Sequence, residues 1–164
     1  MNAVLIVLVA KYLIVIPVVL ALYLAYRLPS DSRSRFLLLS IISLPLIYVI
    51  AKAAGHFYFD ARPFVVDHVA PLMPHVADNG FPSDHALLAA ALASVMYVFD
   101  KRLALVSWVC ALLIGVARVL AHVHHTTDIV GSFLIAAVVV LIVNAILERM
   151  RLARAPAEAG NPVE

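Results

Sequence analysis

Three short polar passages interrupt an otherwise apolar chain, and each carries side chains suited to handling a phosphate. Pro82-Ser83-Asp84-His85 immediately precedes the apolar run ALLAAALASVMYVF. Proline fixes φ, and a serine at the N-cap can accept a bond from an orphan N–H, so the passage reads as a helix start. A histidine and free backbone N–H groups then meet at a helix N-terminus, a natural anion site. A second passage holds Arg118, His124 and Asp128, and a third holds Lys52 and Arg62-Pro63. Lys52, Arg62 and Arg118 are cations for phosphate oxygens, arginine offering a planar fork for two oxygens at once. His124 and Asp128 are four residues apart, so on a helix they share one face. A carboxylate on one ring nitrogen fixes the tautomer and leaves the other nitrogen free to attack. His85 can protonate a leaving oxygen, and Ser83 adds a neutral donor. The chemistry these types suggest is phosphoryl transfer.

Simpler readings stand beside that one. Lys52 can snorkel to a membrane interface, and Arg62 and Arg118 can be ordinary interfacial arginines. Pro82–His85 can be only a helix cap with an interfacial histidine. His122, His124 and His125 with Asp128 have metal-ligand chemistry. Three nearby cations would repel a metal ion, so no metal and no other cofactor is expected. His56, His68 and His75 show no clear partner and read as interfacial packing or substrate-access residues. Phe57, Tyr58, Phe59 and Phe64 read as an aromatic belt at the membrane interface.

The elements that must position these residues are membrane helices. Of the 164 residues, 65% are hydrophobic, and the mean hydropathy is +1.03. A soluble domain is nearer half apolar, and a spanning helix needs roughly 20 apolar residues. Open sheets cannot satisfy their backbone in lipid. The expectation is therefore an all-α, polytopic transmembrane bundle of about five spans, near residues 3–26, 36–59, 84–99, 103–121 and 129–147. Residues 1–150 read as one integral membrane domain, and 151–164 as a flexible cytoplasmic tail. The first run lacks a basic n-region and a clear cleavage site, so it reads as a span rather than a cleaved signal. Cys110 is the lone cysteine, which leaves no disulfide framework. The net charge of +2 says little about partners; membrane lipids are expected, nucleic acid is not, and the oligomeric state is not indicated.

Counting spans brings Lys52, Arg62, Ser83, His85, Arg118, His124 and Asp128 to one membrane face. The opposite face collects Arg27, Arg33, Arg35, Lys101, Arg102, Arg149, Arg151 and Arg154. The positive-inside rule places that basic face and the C-terminus in the cytoplasm, and the polar passages toward the periplasm or cell exterior.

These passages resemble the three signatures of the type 2 phosphatidic acid phosphatase superfamily, K-x6-R-P, P-S-G-H and S-R-x5-H-x3-D. Asp84 stands where glycine is usual, and Ala117 where serine is usual; the spacing Arg118, His124, Asp128 is intact. Lys52 lies ten residues before Arg62 where the pattern has seven, and Gly55 occupies the pattern's lysine position. The resemblance covers roughly residues 52–131. It implies a phosphohistidine at His124, oriented by Asp128, with His85 as general acid and Arg62, Arg118, Ser83 and Lys52 on the phosphate, without a metal. Within the superfamily, ARPFVVDHVAPLMPHVADNGFPSDH is similar to bacterial undecaprenyl-diphosphate phosphatases of the bacitracin-resistance type. That resemblance implies an isoprenoid lipid substrate, undecaprenyl diphosphate, a bacterial inner-membrane location, and recycling of the carrier for cell-wall synthesis. The same motifs fit phosphatases or phosphotransferases of phosphatidic acid, phosphatidylglycerol phosphate or lipid A. A non-enzymatic membrane protein that kept the fold is the reading from another class. Asp84, an anion in a phosphate pocket, is expected to pair with a nearby cation or point away.

Overall fold

The computed structural model describes residues 2–159. Its helices are α1 (Ala3–Tyr12), α2 (Val15–Arg27), α3 (Ser30–Phe57), the short α4 (Pro63–Val66), α5 (Asp84–Tyr97), α6 (Lys101–Leu120) and α7 (Thr126–Ala159). Among the described residues, the β-type pairing is one isolated bridge between Ala61 and Asn79. The all-α expectation holds. Four segments are long and apolar enough to cross a membrane: Ala3–Arg27, Ser30–Phe57, Lys101–Leu120 and Thr126–Ala153. The tail expected over 151–164 begins inside α7, and residues 160–164 lie outside the described residues.

The remaining expected span, near 84–99, is α5, with 14 residues. At 1.5 Å per residue it is about 21 Å long, short of the roughly 30 Å hydrocarbon layer. It runs through the centre of the bundle, from the cavity end at Asp84 toward the basic end at Asp100. Ala86, Ala89, Ala90, Ala91 and Ala93 are all buried, and α6, α7, α3 and α2 pack around them. Small side chains let backbones approach closely, which is how helices associate without a hydrophobic drive between them. Large apolar residues point outward, among them Leu22, Ile41, Leu105 and Leu134. This inversion suits a bundle solvated by lipid.

The first apolar run is two helices rather than one. Pro17 has no N–H for the carbonyl of Leu13, four residues back, and its ring crowds that carbonyl. The chain breaks at Leu13–Ile14, and Ile16 donates to Leu13 instead, at 3.1 Å. The break lets α1 lean on the far end of α6, where Ile6 and Ala10 cluster with Ala117, Ala121 and Met73.

At the basic end, arginines and an aspartate close the turns. Arg33 Nη2 donates to the carbonyls of Tyr26 and Leu28, both at 3.0 Å, capping α2. Asp100 Oδ1 accepts from the backbone of Arg102 and Leu103 at 2.9 and 3.1 Å, capping α6. Arg35 pairs with Glu148 across α3 and α7.

The opposite end carries the long connection from α3 to α5. Asn79 fastens it. Its side chain donates to the carbonyls of Gly55 and Tyr58, at 2.6 and 3.1 Å, and accepts from the N–H groups of Asp60 and Phe81, at 2.9 and 3.0 Å. Gly55 is required beneath it, since a Cβ there would meet the Phe81 carbonyl at 2.7 Å.

Candidate active site

His124 lies at the floor of a cavity of about 870 Å³ at the end of the bundle opposite the basic turns. The loop between α6 and α7 delivers it. His122 adopts a left-handed conformation (φ 58), which turns the chain back over the end of α6. Val123 then offers its carbonyl to Arg62 Nη1 at 2.8 Å, and the His124 ring enters the bundle. His124 precedes α7 rather than lying on it, and Asp128 sits in the first turn of α7. The four-residue spacing still joins them, because the turn into α7 closes on the carbonyl of His125.

The pair is buried, with His124 2% and Asp128 0% exposed. His124 Nδ1 lies 3.2 Å from Asp128 Oδ2, which also accepts from the His125 N–H at 2.9 Å. On the other side, His124 Nε2 lies 3.3 Å from Arg62 Nη1 and 3.0 Å from Arg118 Nη2. A guanidinium has no acceptor, so both arginines donate to Nε2. The ring proton must then be on Nδ1, donated to Asp128, and Nε2 presents a lone pair to the cavity. The His124 pKa is lowered. Burial is the largest cause, and the charges of Arg118 and Arg62 act the same way. The hydrogen bond to Asp128 opposes them.

The two arginines are buried as well, and two further cavity-lining side chains hold them. Arg62 Nε donates to Asp78 Oδ1 at 2.7 Å. Arg118 Nη2 also donates to His75 Nε2 at 3.2 Å. Burial would raise the Asp78 pKa, but the Arg62 hydrogen bond and charge hold it below the usual carboxylate value. Burial, then Arg62, Arg118 and His124, push His75 down to about 4, so it is neutral near pH 7.

Of the seven residues singled out in the sequence, Lys52, Arg62, His85, Arg118 and His124 line the cavity. Asp128 lies directly behind His124. Ser83 departs from expectation. It occupies the N-cap position of α5, but its hydroxyl caps nothing; it is fully buried, has no partner, and is not among the cavity-lining residues. Lys52 Nζ lies 3.4 Å from Asp84 Oδ1, so the anion expected to find a cation has one. Both side chains are more than half exposed, and such pairs contribute about 0–1 kcal/mol. The position of the pattern's lysine, Gly55, faces the Phe81 carbonyl and the side chains of Asn79 and Pro82, and Lys52 reaches the cavity from one turn earlier.

Sequence reasoning missed His75, Asp78 and Asn79. His75 had been given no partner, but it reaches Arg118 and stands edge-on to His124, with ring centroids 6.0 Å apart. Asp60, His125 and Asp128 also gather within 4.8 Å. Asp60 Oδ2 there accepts from the Thr127 hydroxyl at 3.0 Å. His125 Nδ1 is 3.1 Å from Asp60 Oδ1 but out of line for a hydrogen bond. Two orphaned buried atoms, Arg118 Nε and Asp128 Oδ1, complete the centre. Of these, Arg118 Nε is a buried donor and Asp128 Oδ1 a buried acceptor.

Fold and site together describe a polytopic helical membrane protein with a buried histidine, held between a carboxylate and two arginines, at one end. The PAP2 superfamily matches residues 33–151, and the chain belongs to that superfamily. Among its relatives, Undecaprenyl-diphosphatase BcrC of Bacillus subtilis (strain 168) is 35% identical over 82 residues, 50% of this chain and 42% of that protein. The Bacitracin transport permease protein BcrC of Bacillus licheniformis is 26% identical over 120 residues, 72% of this chain and 59% of that one. The chain thus spans about half the length of the curated relatives it matches. Among solved structures, LpxE of Aquifex aeolicus superposes with a TM-score of 0.72 at 22% identity, covering 88% of each chain. A PAP2-type phosphatidylglycerolphosphate phosphatase from Bacillus subtilis gives 0.61 at 21% identity, covering 90% of this chain and 77% of that one. These two likenesses are of fold.

Proposed function

We propose that the protein is a lipid diphosphate phosphatase that converts undecaprenyl diphosphate to undecaprenyl phosphate and inorganic phosphate. The observation that carries the reading is His124, fixed by Asp128 at 3.2 Å and flanked at Nε2 by two arginines within 3.3 Å. The relative named as an undecaprenyl-diphosphatase supports the choice of substrate.

The His124 Nε2 lone pair attacks the terminal phosphorus. The bond from phosphorus to the bridging oxygen breaks, and the lipid monophosphate departs, protonated by His85. Arg62 and Arg118 leave the lone pair for the equatorial oxygens, where charge spreads in the transition state. The forming N–P bond makes the ring cationic, and Asp128 stabilises it. Water, deprotonated by His85, then attacks phosphorus, releases inorganic phosphate and restores neutral His124. Lys52, at the rim, takes the second phosphate. None of these steps calls for a metal.

In this reading the basic end faces the cytoplasm, by the positive-inside rule, and the cavity opens at the outer face of a bacterial inner membrane. There a head group reaches His124 while its tail stays in lipid. The alternative is the same chemistry on phosphatidic acid, phosphatidylglycerol phosphate or a lipid A phosphate.

Phosphate release by the purified protein in detergent with excess EDTA, from undecaprenyl diphosphate beside those other lipids, tests the proposal. Preference for the isoprenoid supports it. Preference for a glycerolipid moves the substrate to the alternative, and activity that needs added metal overturns the mechanism.

A further inference from the structure

Two side chains of the α3–α5 connection, both outside the signature motifs, line the cavity beside the two arginines and bond to them. Asp78 Oδ1 is 2.7 Å from Arg62 Nε, and Arg62 Nη1 is 3.3 Å from His124 Nε2. His75 Nε2 is 3.2 Å from Arg118 Nη2, which is 3.0 Å from His124 Nε2. Each guanidinium therefore bridges from this connection to the same nitrogen. The connection is itself anchored, through Asn79 to the end of α3 and through the Ala61–Asn79 bridge.

We propose that Asp78 and His75 are positioning residues, one for each arginine, and that they aim Arg62 and Arg118 at an incoming phosphate. The proposal rests on the phosphatase reading and adds to it a function for the connection, which becomes part of the site.

The physical case is pre-organisation. A free arginine side chain carries rotamer entropy that a phosphate would otherwise have to remove on binding. Asp78 fixes Arg62 through a charge-assisted bond to Nε, while Nη1 reaches the Val123 carbonyl and His124 Nε2 and Nη2 lies 3.4 Å from the Asn79 carbonyl. His75 is a neutral acceptor for one Nη of Arg118, and Arg118 Nε stays without a partner. When phosphate displaces an arginine N–H from His124 Nε2, the bond to Asp78 or His75 still restrains the guanidinium. An alternative is that the connection only covers the bundle end. Losing Asp78 or His75 would then change stability alone.

The test uses the full chain in detergent and five proteins: wild type, Asp78→Asn, Asp78→Glu, His75→Ala and His75→Gln. Three quantities are read: the affinity for inorganic phosphate by direct titration, kcat and KM on the best lipid substrate of the wild type, and Tm. Asp78→Asn, which trades the charged acceptor for a weaker neutral one, and His75→Ala, which removes the acceptor, are expected to weaken phosphate binding on the order of tenfold. They should lower kcat by a similar factor, with little change in KM and Tm. Asp78→Glu keeps the charged acceptor and His75→Gln a neutral one, and both should recover most of both losses. Phosphate affinity and kcat unchanged in the folded Asn and Ala variants would overturn the proposal. So would losses that track Tm and are not recovered by the Glu and Gln variants. A wild type inactive on every lipid phosphate would sink the phosphatase reading instead, and the phosphate titration would still decide the positioning role.

Discussion

His124 holds a proton on Nδ1 and a lone pair on Nε2 because its neighbours leave no other arrangement: Asp128 can only accept there, and both arginines can only donate. Its lowered pKa means that it stays neutral as pH falls below the ordinary histidine value. The acid limb of kcat/KM assigned to it should lie below pH ~6.5, and Arg62→Gln should move that limb upward by removing one cause of the lowering. A limb at or above the ordinary value in the wild type would contradict the assignment. Stability follows the same sign. An unfolded histidine takes up protons near pH ~6.5, before the buried one does, so acidification favours the unfolded chain. His75, down to about 4, adds to that effect. Tm should be flat above that range and fall between pH 6.5 and 5; a Tm that rises on acidification would be the wrong sign. His85 offers a different test. A departing phosphate is a far weaker base than a departing alkoxide, so it needs less help from an acid. His85→Ala should cost roughly 10²–10⁴-fold on a phosphate monoester and markedly less on a diphosphate. Equal losses on both would argue against His85 as the proton donor to the leaving oxygen.

The helices position this chemistry through residues chosen for smallness. Ala90, at 0% exposure near the middle of α5, has no room for a larger side chain. Ala90→Leu should destabilise by roughly 1–3 kcal/mol through overpacking, seen as a lower Tm in detergent. An unchanged Tm would mean that α5 is not the packing centre. Much of this element scale was legible in the sequence. Apolar runs and breakers located the helices, and the Arg118, His124, Asp128 spacing placed the centre. The position of Lys52 on the last turns of α3 was also readable, since three residues is nearly one helical turn. What escaped has a common physical cause. His75, Asp78 and Asn79 act from a connection with little regular structure, whose contacts span long separations that no period encodes. Ser83 escaped differently. Sequence shows that a serine begins a helix, but whether its hydroxyl caps the helix depends on the buried surroundings of Ser132 and α7. Pro17 was in plain view, but its consequence for α1 depended on a packing partner at the end of α6.

At the scale of the whole molecule, apolar residues face outward around the helices and charge gathers at the two ends, Lys11 within the first apolar run being an exception. This division assigns one end to arginine-closed turns and the other to the cavity. Orientation can be read with a thiol probe, because Cys110 is 6% exposed and sits within α6. Val76 is 73% exposed in the α3–α5 connection. Val76→Cys in intact cells should react with a membrane-impermeant maleimide, while the wild type stays unlabelled. Labelling only after the membrane is opened would reverse the proposed topology.

The central claim is that phosphate passes through His124, and trapping that adduct tests it most directly. Protein mixed with lipid diphosphate labelled at the terminal phosphorus, then quenched in alkali within one turnover, should carry label on a peptide containing His124. The label should be stable to base, labile to acid, and absent from His124→Ala. Label on another residue, or turnover retained in His124→Ala, would contradict the account.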